Sequence, residues 1–364
     1  MNVTVICAGN GGLAAAADLT LRGHRVTLFE FPPFESALNS IREKGTIGLS
    51  ALPSTGLAGG FAKPHRLTTD MAEALGDAEV ILLIVPAVAH FLCAAEMAGH
   101  LKKGQIVVLM PGGFGGAILF SRYLANEKGS QGFLVAESST LPYACRKLDP
   151  SSVWIRGRKG VFDVAAYPSR DSDRVLAALK GLFPAAIRAK STLETGLNNL
   201  NPFIHPPIVL FNAGATERGQ RILFYHEGVT PSVQRVVEGL DRERLSLGMS
   251  LGLTLQPIHQ VMLDHYRHQG AAGEDFRTVA GKNPVYRWSE MPGNIDSRYL
   301  TEDVPMSLVP IRSLARKMGT PCRLMESVIH LSSQAVGKDL EQEGRTLADL
   351  GLEHLEIEEI VTSL

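Results

Sequence analysis

The sequence predicts an α/β domain with a mostly parallel sheet, followed by a second domain made only of helices. Short apolar runs of strand length alternate with helical stretches in the first half, and glycine-rich turns follow several of those runs. The strand signal stops near Pro184, and helical periodicity with intervening turn signals takes over. We therefore expect one domain over residues 1–184 and a second over residues 185–364, each of ordinary size.

The composition is that of an ordinary globular protein. The chain has 364 residues, is 45% hydrophobic and 20% charged, and carries a net charge of −1. No overall attraction to nucleic acid or to an anionic membrane is therefore expected. No run approaches the roughly 20 apolar residues of a membrane span, and the N-terminus predicts a strand rather than a signal peptide. The 4 cysteines form no CxxC pair, so we predict neither disulfides nor a metal site, and a cytoplasmic location is the simplest.

The first elements carry a nucleotide-binding pattern. A strand over Asn2–Cys7 leads into Gly9-Asn-Gly-Gly-Leu-Ala14, an alanine-rich helix ending at Leu21, and a strand over Arg25–Phe29 followed by Glu30. In such a turn the first glycine permits the tight turn, the second lets the backbone approach a pyrophosphate, and alanine allows close helix packing. The helix N-terminus offers amides to the phosphates, and the acid is placed to bind the ribose hydroxyls. This pattern is typical of a Rossmann dinucleotide-binding domain, and the acid favours NAD over NADP because it would repel a 2′-phosphate.

Two later turns are further candidates for the surface on which the cofactor lies, here called the cofactor floor. A strand over Glu79–Val85 ends at Pro86, and a strand over Gln105–Met110 ends in a glycine-rich turn over Pro111–Gly116. Ligands of open parallel sheets bind beyond the carboxyl ends of the strands. The glycines of the second turn would equally serve only to make it tight. The predicted cofactor residues are Gly9, Asn10, Gly11, Gly12, Leu13, Glu30 and Pro86.

The rest of the first half predicts a strand over Gly132–Ala136 and a polar loop that begins at Glu137. Val153–Arg158 and Gly160–Ala166 are predicted as a pair of edge strands, before an amphipathic helix over Asp171–Phe183. The second half predicts helices over Leu193–Phe211, Val229–Gly252, Ile258–His268, Val309–Lys317, Met325–Gly337 and Thr346–Leu350. We expect the chemistry to lie in a cleft between the two domains.

The segment Asn201-Pro-Phe-Ile-His205-Pro-Pro207 is the most unusual one in the second half. Asparagine followed by proline predicts a helix start with Asn201 as N-cap, and His205 lies one turn further on the same face. The two prolines that follow predict a kink or break at His205. A versatile acid–base side chain at a break indicates a site, although a helix corner with an incidental histidine gives the same pattern.

Other polar groups give weaker patterns. The histidine-rich segment His259–His268 does not fit the HExxH arrangement and favours a partly exposed helix. Tyr225–Gly228 predicts a loop before a helix cap. The loop Asp296–Pro305 packs several charges and a tyrosine into a short stretch, which is typical either of a functional loop or of a solvated turn.

Taken together, several segments resemble the octopine/nopaline (opine) dehydrogenase family. These segments are Gly9–Ala14, Leu28–Pro32, Leu141–Tyr143, Asn201–Pro207 and Arg298–Pro305. The resemblance implies a Rossmann domain and an all-helical second domain similar to that of 6-phosphogluconate dehydrogenase. It also implies NAD(P)H-dependent reductive condensation of an amino acid with a 2-oxo acid such as pyruvate, giving an N-(1-carboxyalkyl) amino acid.

The resemblance implies roles for particular residues and for the partners. Histidine would act as general acid and base, a carboxylate would hold its far ring nitrogen, and arginine would bind a substrate carboxylate. The expected partners are the amino acid and the 2-oxo acid, and the oligomeric state stays open, with a homo-oligomer among the options. The implied catalytic residues are His205, Asp303 and Asn201, and the implied substrate-binding residues are Arg298, Glu137 and Tyr143.

Two alternatives stay open. Members of the 2-hydroxy-acid or ketopantoate-type dehydrogenases share this architecture and resemble one another in a lysine and an asparagine four residues apart. In this chain that register reads Leu197 and Asn201, without the lysine. A non-catalytic NAD-sensing protein would need only the nucleotide turn, since a fold by itself does not prove activity.

Overall fold

The computed structural model describes residues 1–126 and 132–363, with side chains up to residue 360. The described chain divides into two compact units, one of residues 1–112 and 116–192, the other of residues 113–115 and 193 onward. The division after residue 192 differs from the predicted boundary at 184, because a strand over Ala186–Arg188 still pairs with Phe162–Val164 in the first unit. The predicted fold class, a Rossmann-like unit followed by a helical one, is confirmed.

The first unit is built on two sheets. Its strands are β1 (Asn2–Ile6), β2 (Arg25–Phe29), β3 (Ile47–Ala51), β4 (Gly60–Ala62), β5 (Arg66–Thr68), β6 (Val80–Leu83), β7 (Ile106–Leu109), β8 (Leu134–Ser138), β9 (Tyr143–Asp149), β10 (Ser152–Arg158), β11 (Phe162–Tyr167) and β12 (Ala186–Arg188). The main sheet has the order β12-β11-β8-β7-β6-β1-β2-β5, and the strands from β5 to β8 pair in parallel while β11 is antiparallel to β8. The second sheet has the order β4-β3-β10-β9. The prediction of β10 and β11 as a pair of edge strands was wrong, because each lies inside a different sheet.

Helices cover the main sheet and make up the second unit. In the first unit they are α1 (Asn10–Leu21), α2 (Ser36–Lys44), α3 (Met71–Leu75), α4 (His90–Met97), α5 (Gly116–Ala125) and α6 (Ser172–Leu179). From residue 192 they are α7 (Thr192–Leu197), α8 (Asn201–Phe211), α9 (Ala213–Glu217), α10 (Pro231–Ser250), α11 (Ile258–Tyr266), α12 (Phe276–Lys282), α13 (Arg298–Thr301), α14 (Val309–Lys317), α15 (Arg323–Val336) and α16 (Ile357–Ser363), with a π-helical turn over Val304–Leu308. None of the described helices is long and apolar enough to cross a membrane.

Alternate residues of the parallel strands enter two separate cores. Val80 and Leu82 of β6 pack into the core that contains α1, whereas Ile81 and Leu83 pack into the core on the opposite face. Successive side chains of a strand point to opposite faces, and both faces of this sheet are covered by helices. The strands therefore form continuous apolar runs, which is why the sequence shows them clearly.

Helix α1 is enclosed on all sides, which explains its run of alanines. Ala14–Ala17 are 0% exposed. The helix contacts β1 and β2 of the main sheet and also β3, β9 and β10 of the second sheet. Alanine lets the helix approach two sheets at once and loses no side-chain entropy on burial. The glycine turn before α1 is therefore covered by the second sheet as well as by the main sheet.

The predicted single helix over residues 193–211 is two helices, interrupted at residues 198–200. Helix α8 then runs unbroken through Pro206 and Pro207, so the predicted break at His205 was wrong. The two prolines lack the N–H groups that would donate to carbonyls one turn earlier, which normally disrupts a helix. Residues 202–209 of α8, which include both prolines, are all buried. Packing of the apolar side chains keeps this helix continuous.

The prediction of a last helix over Thr346–Leu350 was also wrong. These residues form turns, in which Asp349 Oδ2 accepts hydrogen bonds from the backbone N–H and from Oγ1 of Thr346, both at 2.7 Å. Helix α12 was missed, although Asp275 and Thr278 form a capping box at its start. Short helices held by their caps give little hydrophobic periodicity, so periodicity is a poor guide to them.

Candidate active site

The glycine turn between β1 and α1 excludes side chains at particular positions. A Cβ atom on Gly12 would lie 1.8 Å from the carbonyl oxygen of Cys7, and one on Gly11 would lie 2.9 Å from Leu141. A Cβ atom on Gly9 would meet Cys7 Sγ at 3.7 Å, an ordinary contact. Gly9 has a φ of −69°, whereas Cys7 has a φ of 81°. The left-handed residue of the turn is therefore Cys7, which corrects the reason predicted for Gly9.

The start of α1 fits a pyrophosphate. The backbone N–H groups of Asn10, Gly11 and Gly12 lie in the first helical turn, where a helix provides no acceptors and the positive end of its dipole favours an anion. Leu13 differs from them, because its N–H donates to the carbonyl oxygen of Gly9 at 2.9 Å and its side chain is fully buried. Leu13, predicted as a cofactor residue, lies in the core beneath the turn in this structure. Pro86 is exposed beyond β6, which is parallel to β1.

Glu30 is held beside this turn, at the end of β2. Its Oε2 accepts the N–H of Ala8 at 2.8 Å, and its Oε1 accepts the N–H of Phe31 at 3.0 Å. Each carboxylate oxygen can accept a second hydrogen bond, so this group fits a ribose diol. Burial, reinforced by the negative charge of Glu30, raises the pKa of the Cys7 thiol to about 11. Cys7 is therefore a protonated donor to the acid and no nucleophile.

Lys147 places a cation at the same turn and was missed from the sequence. Its Nζ donates to the carbonyl oxygen of Ala8 at 3.2 Å, and its backbone N–H donates to Asn10 Oδ1 at 2.8 Å. The sequence predicts a polar loop over Glu137–Arg146, whereas Tyr143–Asp149 forms β9. Tyr143, Cys145 and Lys147 alternate along this strand and all contact α1 or the turn before it. Alternate residues of a strand share one face, so the spacing of these three residues could have identified the lysine.

Two predicted substrate contacts lie in the interior of the first unit. Glu137 belongs to β8, is 0% exposed, and its Oε2 accepts the N–H of Ala117 at 2.8 Å in the first turn of α5. A carboxylate at this position satisfies an unpaired amide and favours the helix dipole. Tyr143 donates its hydroxyl to Asp18 Oδ2 at 2.6 Å, and burial raises the pKa of this phenol well above its usual value. In this structure both side chains have their partners within the first unit, where they stabilise its fold.

In the second unit, α8 brings His205 against Asp303. The Nδ1 atom of His205 lies 2.7 Å from Asp303 Oδ2, although the residues are 98 positions apart in the chain. Both are buried, at 7% and 8% exposure. A carboxylate only accepts hydrogen bonds, so Nδ1 carries the proton and Nε2 of the neutral imidazole is the acceptor. The contact predicted between these two residues is confirmed.

Aromatic side chains enclose the imidazole. The Tyr299 ring lies over it at a centroid distance of 4.3 Å, and Phe224 meets it edge-on at 5.5 Å. The Tyr225 hydroxyl lies 3.2 Å from Nε2. Tyr299 lies one helical turn before Asp303, a spacing that could have identified it. Tyr225 was predicted only as part of a loop, and nothing in its sequence neighbourhood points to His205.

Asn201 and Arg298 occupy the starts of two helices of this unit. Asn201 is the first residue of α8, one turn before His205. Its side chain does not cap the helix, whose N-cap is Leu200, so the predicted capping role was wrong. Arg298 begins α13 and is exposed, in the segment that also carries Tyr299 and Asp303. The structure thus places Arg298 and Asp303 on one short segment, with Asn201 and His205 on one helix.

Comparisons with known proteins agree with this architecture. Residues 188–336 match the sequence model of the NAD/NADP octopine/nopaline dehydrogenase alpha-helical domain, and residues 2–131 match that of the NAD-dependent glycerol-3-phosphate dehydrogenase N-terminus. The opine dehydrogenase of Arthrobacter sp. (strain 1C) is 34% identical over 96% of this chain and 95% of that protein. The vitopine synthase of Allorhizobium ampelinum is 31% identical over 96% and 95%, respectively. A solved structure of octopine dehydrogenase with NADH and L-arginine has a TM-score of 0.80 and 20% identity, covering 100% of this chain and 98% of that chain.

A glycine turn that fits a dinucleotide, joined to a helical unit with a buried His–Asp pair, defines a nicotinamide-dependent oxidoreductase. The chain belongs to the octopine/nopaline (opine) dehydrogenase family. It is an NAD(H)-dependent opine dehydrogenase, an oxidoreductase that acts on CH–NH groups.

Proposed function

We propose that this enzyme condenses an amino acid with a 2-oxo acid such as pyruvate to an N-(1-carboxyalkyl) amino acid, and that it also catalyses the reverse oxidation. The observation that carries the proposal is the His205–Asp303 pair, which lies in the helical unit that matches the family. Condensation of an ammonium group with a ketone consumes one hydride and one proton and releases water. The reaction must therefore transfer protons as well as a hydride. A histidine oriented by a carboxylate suits the proton transfer.

The proposed roles rest on the His205–Asp303 contact, on the positions of the other side chains and on the resemblance to the family. His205 acts as general acid and base, and Asp303 fixes its tautomer and stabilises the imidazolium, as the carboxylate does in catalytic triads. Arg298 binds a substrate carboxylate, for which a planar guanidinium is suited. Asn201 lies one turn before His205 and positions the substrate or a water molecule.

The first unit binds NAD(H), which supplies the hydride when bound. We propose that the amides of Asn10, Gly11 and Gly12 hold the pyrophosphate and that Glu30 binds the ribose diol. Pro86 would form part of the cofactor floor. The negative charge of Glu30 supports NAD over NADP, because it would lie beside a 2′-phosphate. Leu13, Glu137 and Tyr143 receive no ligand contact in this proposal.

The activity is tested by following NADH oxidation with pyruvate and a panel of amino acids, and by mass spectrometry of the product. We expect oxidation to need both substrates and to form an N-(1-carboxyethyl) amino acid. Oxidation with a 2-oxo acid alone would identify a 2-hydroxy-acid or ketopantoate-type dehydrogenase instead. Tight NADH binding without turnover over the whole panel would identify an NAD-sensing protein.

Lys147 is expected to contribute to dinucleotide affinity. Loss of its charge in Lys147→Met should raise the Kd for NADH about tenfold, because a cation beside a phosphate contributes on the order of 1.4 kcal/mol. Lys147→Arg keeps the charge and is the matched control. Kd values for NADH and for ADP-ribose should rise together in the methionine variant, and the effect should shrink at high salt. Equal Kd values in the wild type and Lys147→Met would contradict this role.

We also propose a cytoplasmic location, supported by the cysteines, which among the described residues are thiols rather than disulfides. The oligomeric state stays open, with a homo-oligomer among the options, and sedimentation velocity of the purified enzyme decides it.

A further inference from the structure

The Tyr225 hydroxyl lies within hydrogen-bond distance of His205 Nε2, the ring nitrogen through which His205 would exchange a proton with a substrate. Asp303 accepts a hydrogen bond from Nδ1–H, so Nε2 is the ring nitrogen left to exchange a proton. Tyr225 Oη lies 3.2 Å from that atom. In the neutral pair the phenol donates to Nε2, and in the imidazolium Nε2–H donates to the phenol oxygen. The hydrogen bond can thus reverse its direction without movement of either ring.

The surrounding packing holds both rings. Tyr225 stacks on Tyr286 at a centroid distance of 4.1 Å and an interplanar angle of 17°, and it meets Phe224 edge-on at 4.9 Å. His205 is covered by Tyr299 and by Phe224. Offset and edge-to-face contacts of this kind fix ring positions. The imidazole is 7% exposed, whereas Tyr225 is partly exposed, so the phenol is the more accessible end of the hydrogen-bonded chain.

We propose that Tyr225 is a catalytic residue that carries the proton between the substrate and His205. This inference rests on the proposed condensation and on the proposed role of His205. The structure assigns the order substrate, Tyr225, His205, Asp303. His205 then acts as general acid and base through the phenol, which is the group that touches the reacting atoms.

The proton transfer balances as follows. The ammonium group loses a proton to solution, the amine adds to the carbonyl carbon of the 2-oxo acid, and transfer of one N–H proton to the alkoxide oxygen gives a carbinolamine, whose hydroxyl must leave as water. The Tyr225 O–H bond breaks to protonate that hydroxyl, the C–O bond breaks, and the nitrogen lone pair forms the C=N bond. The Nε2–H bond of the imidazolium breaks in the same step and restores the phenol. His205 ends neutral and regains a proton from solution. The proton released by the ammonium group equals the one that the secondary amine takes up after hydride addition, so one proton is consumed per turnover.

The experiment compares Tyr225→Phe with the wild type in the full-length enzyme. We expect kcat for condensation to fall about 10²-fold, while the Kd for NADH and the melting temperature stay close to the wild-type values. Tyr286→Phe is the matched control, because it removes a neighbouring hydroxyl and keeps the stacked ring, and its kcat should stay within about threefold of the wild type. A Tyr225→Phe enzyme with kcat within that same range would overturn the relay.

A second measurement covers the case in which Tyr225→Phe is unstable. Replacing Tyr225 alone with 3,5-difluorotyrosine lowers the pKa of the phenol and keeps its shape. A relay needs the phenol protonated, so the alkaline limb of the kcat profile should move to lower pH, a shift that a purely structural tyrosine would not cause. An unmoved limb would overturn the proposal. If His205→Gln abolishes condensation while both Tyr225 variants behave as wild type, only the relay fails; if His205→Gln is itself active, the proposed function of His205 fails.

Discussion

Replacing His205 with glutamine is expected to lower kcat for condensation by about 10²–10⁴-fold. Glutamine can hydrogen-bond at this position but cannot take up and release a proton. The Kd for NADH should stay within about threefold of the wild-type value, because the glycine turn and Glu30 belong to the other unit. The measurements are steady-state kinetics with saturating pyruvate and amino acid, and fluorescence titration of NADH.

Asp303→Asn is the companion variant. An amide can donate to Nδ1 and so favour the wrong tautomer, and in catalytic triads such a change costs about 10⁴-fold in kcat. We expect the Asp303→Asn enzyme to lose condensation activity while retaining NADH affinity. Near-normal condensation in His205→Gln would contradict the role of the pair, whereas loss of NADH binding in either variant would point to a disturbed fold instead.

Replacing Gly12 with alanine is expected to have the largest effect on the first unit. The new Cβ atom would lie 1.8 Å from the carbonyl oxygen of Cys7, and a backbone atom cannot move aside as a side-chain end can. The start of α1 must therefore shift away from β1, and α1 is packed between two sheets. We expect the first unit to lose at least about 3 kcal/mol of stability and the enzyme to lose detectable NADH binding.

Gly9→Ala is the matched control for Gly12→Ala. Its Cβ atom would meet Cys7 Sγ at 3.7 Å, and its φ of −69° suits any residue. We expect its free energy of unfolding to stay within about 1 kcal/mol of the wild-type value. Urea denaturation followed by circular dichroism measures both variants. Equal stability of Gly12→Ala and Gly9→Ala would show that the turn adapts, and would remove the steric argument.

Most of the first unit could be predicted from the sequence because its strands are buried on both faces. Runs such as Val80–Leu83 are apolar throughout, and glycine turns mark their ends. The short strands β3, β4 and β5 were missed, because three to five residues give little periodicity. The second sheet was missed as a consequence, and β9 was predicted as a loop.

Some residues of the candidate site could likewise be predicted from the local sequence, whereas the surroundings of others depend on tertiary contacts. The glycine turn and Glu30 are local features whose spacing is set by one βαβ unit, so their chemistry could be predicted from the chain. The sequence does not show the surroundings of Glu137 and Tyr143, because a polar residue beside a strand end looks the same whether it faces a ligand or another part of the protein. Only their partners, the Ala117 amide and Asp18, distinguish the two cases.

The sequence alone was sufficient for the fold class and for the glycine turn with its acid, because each depends on contacts within a few dozen residues. The tertiary structure decided which groups meet His205. Asp303 lies 98 positions away, Tyr225 comes from a loop without any distinguishing pattern, and α8 stays helical through two prolines because its side chains are buried. Burial and long-range packing free energy determine these features, and neither quantity can be read from the spacing of residues along the chain.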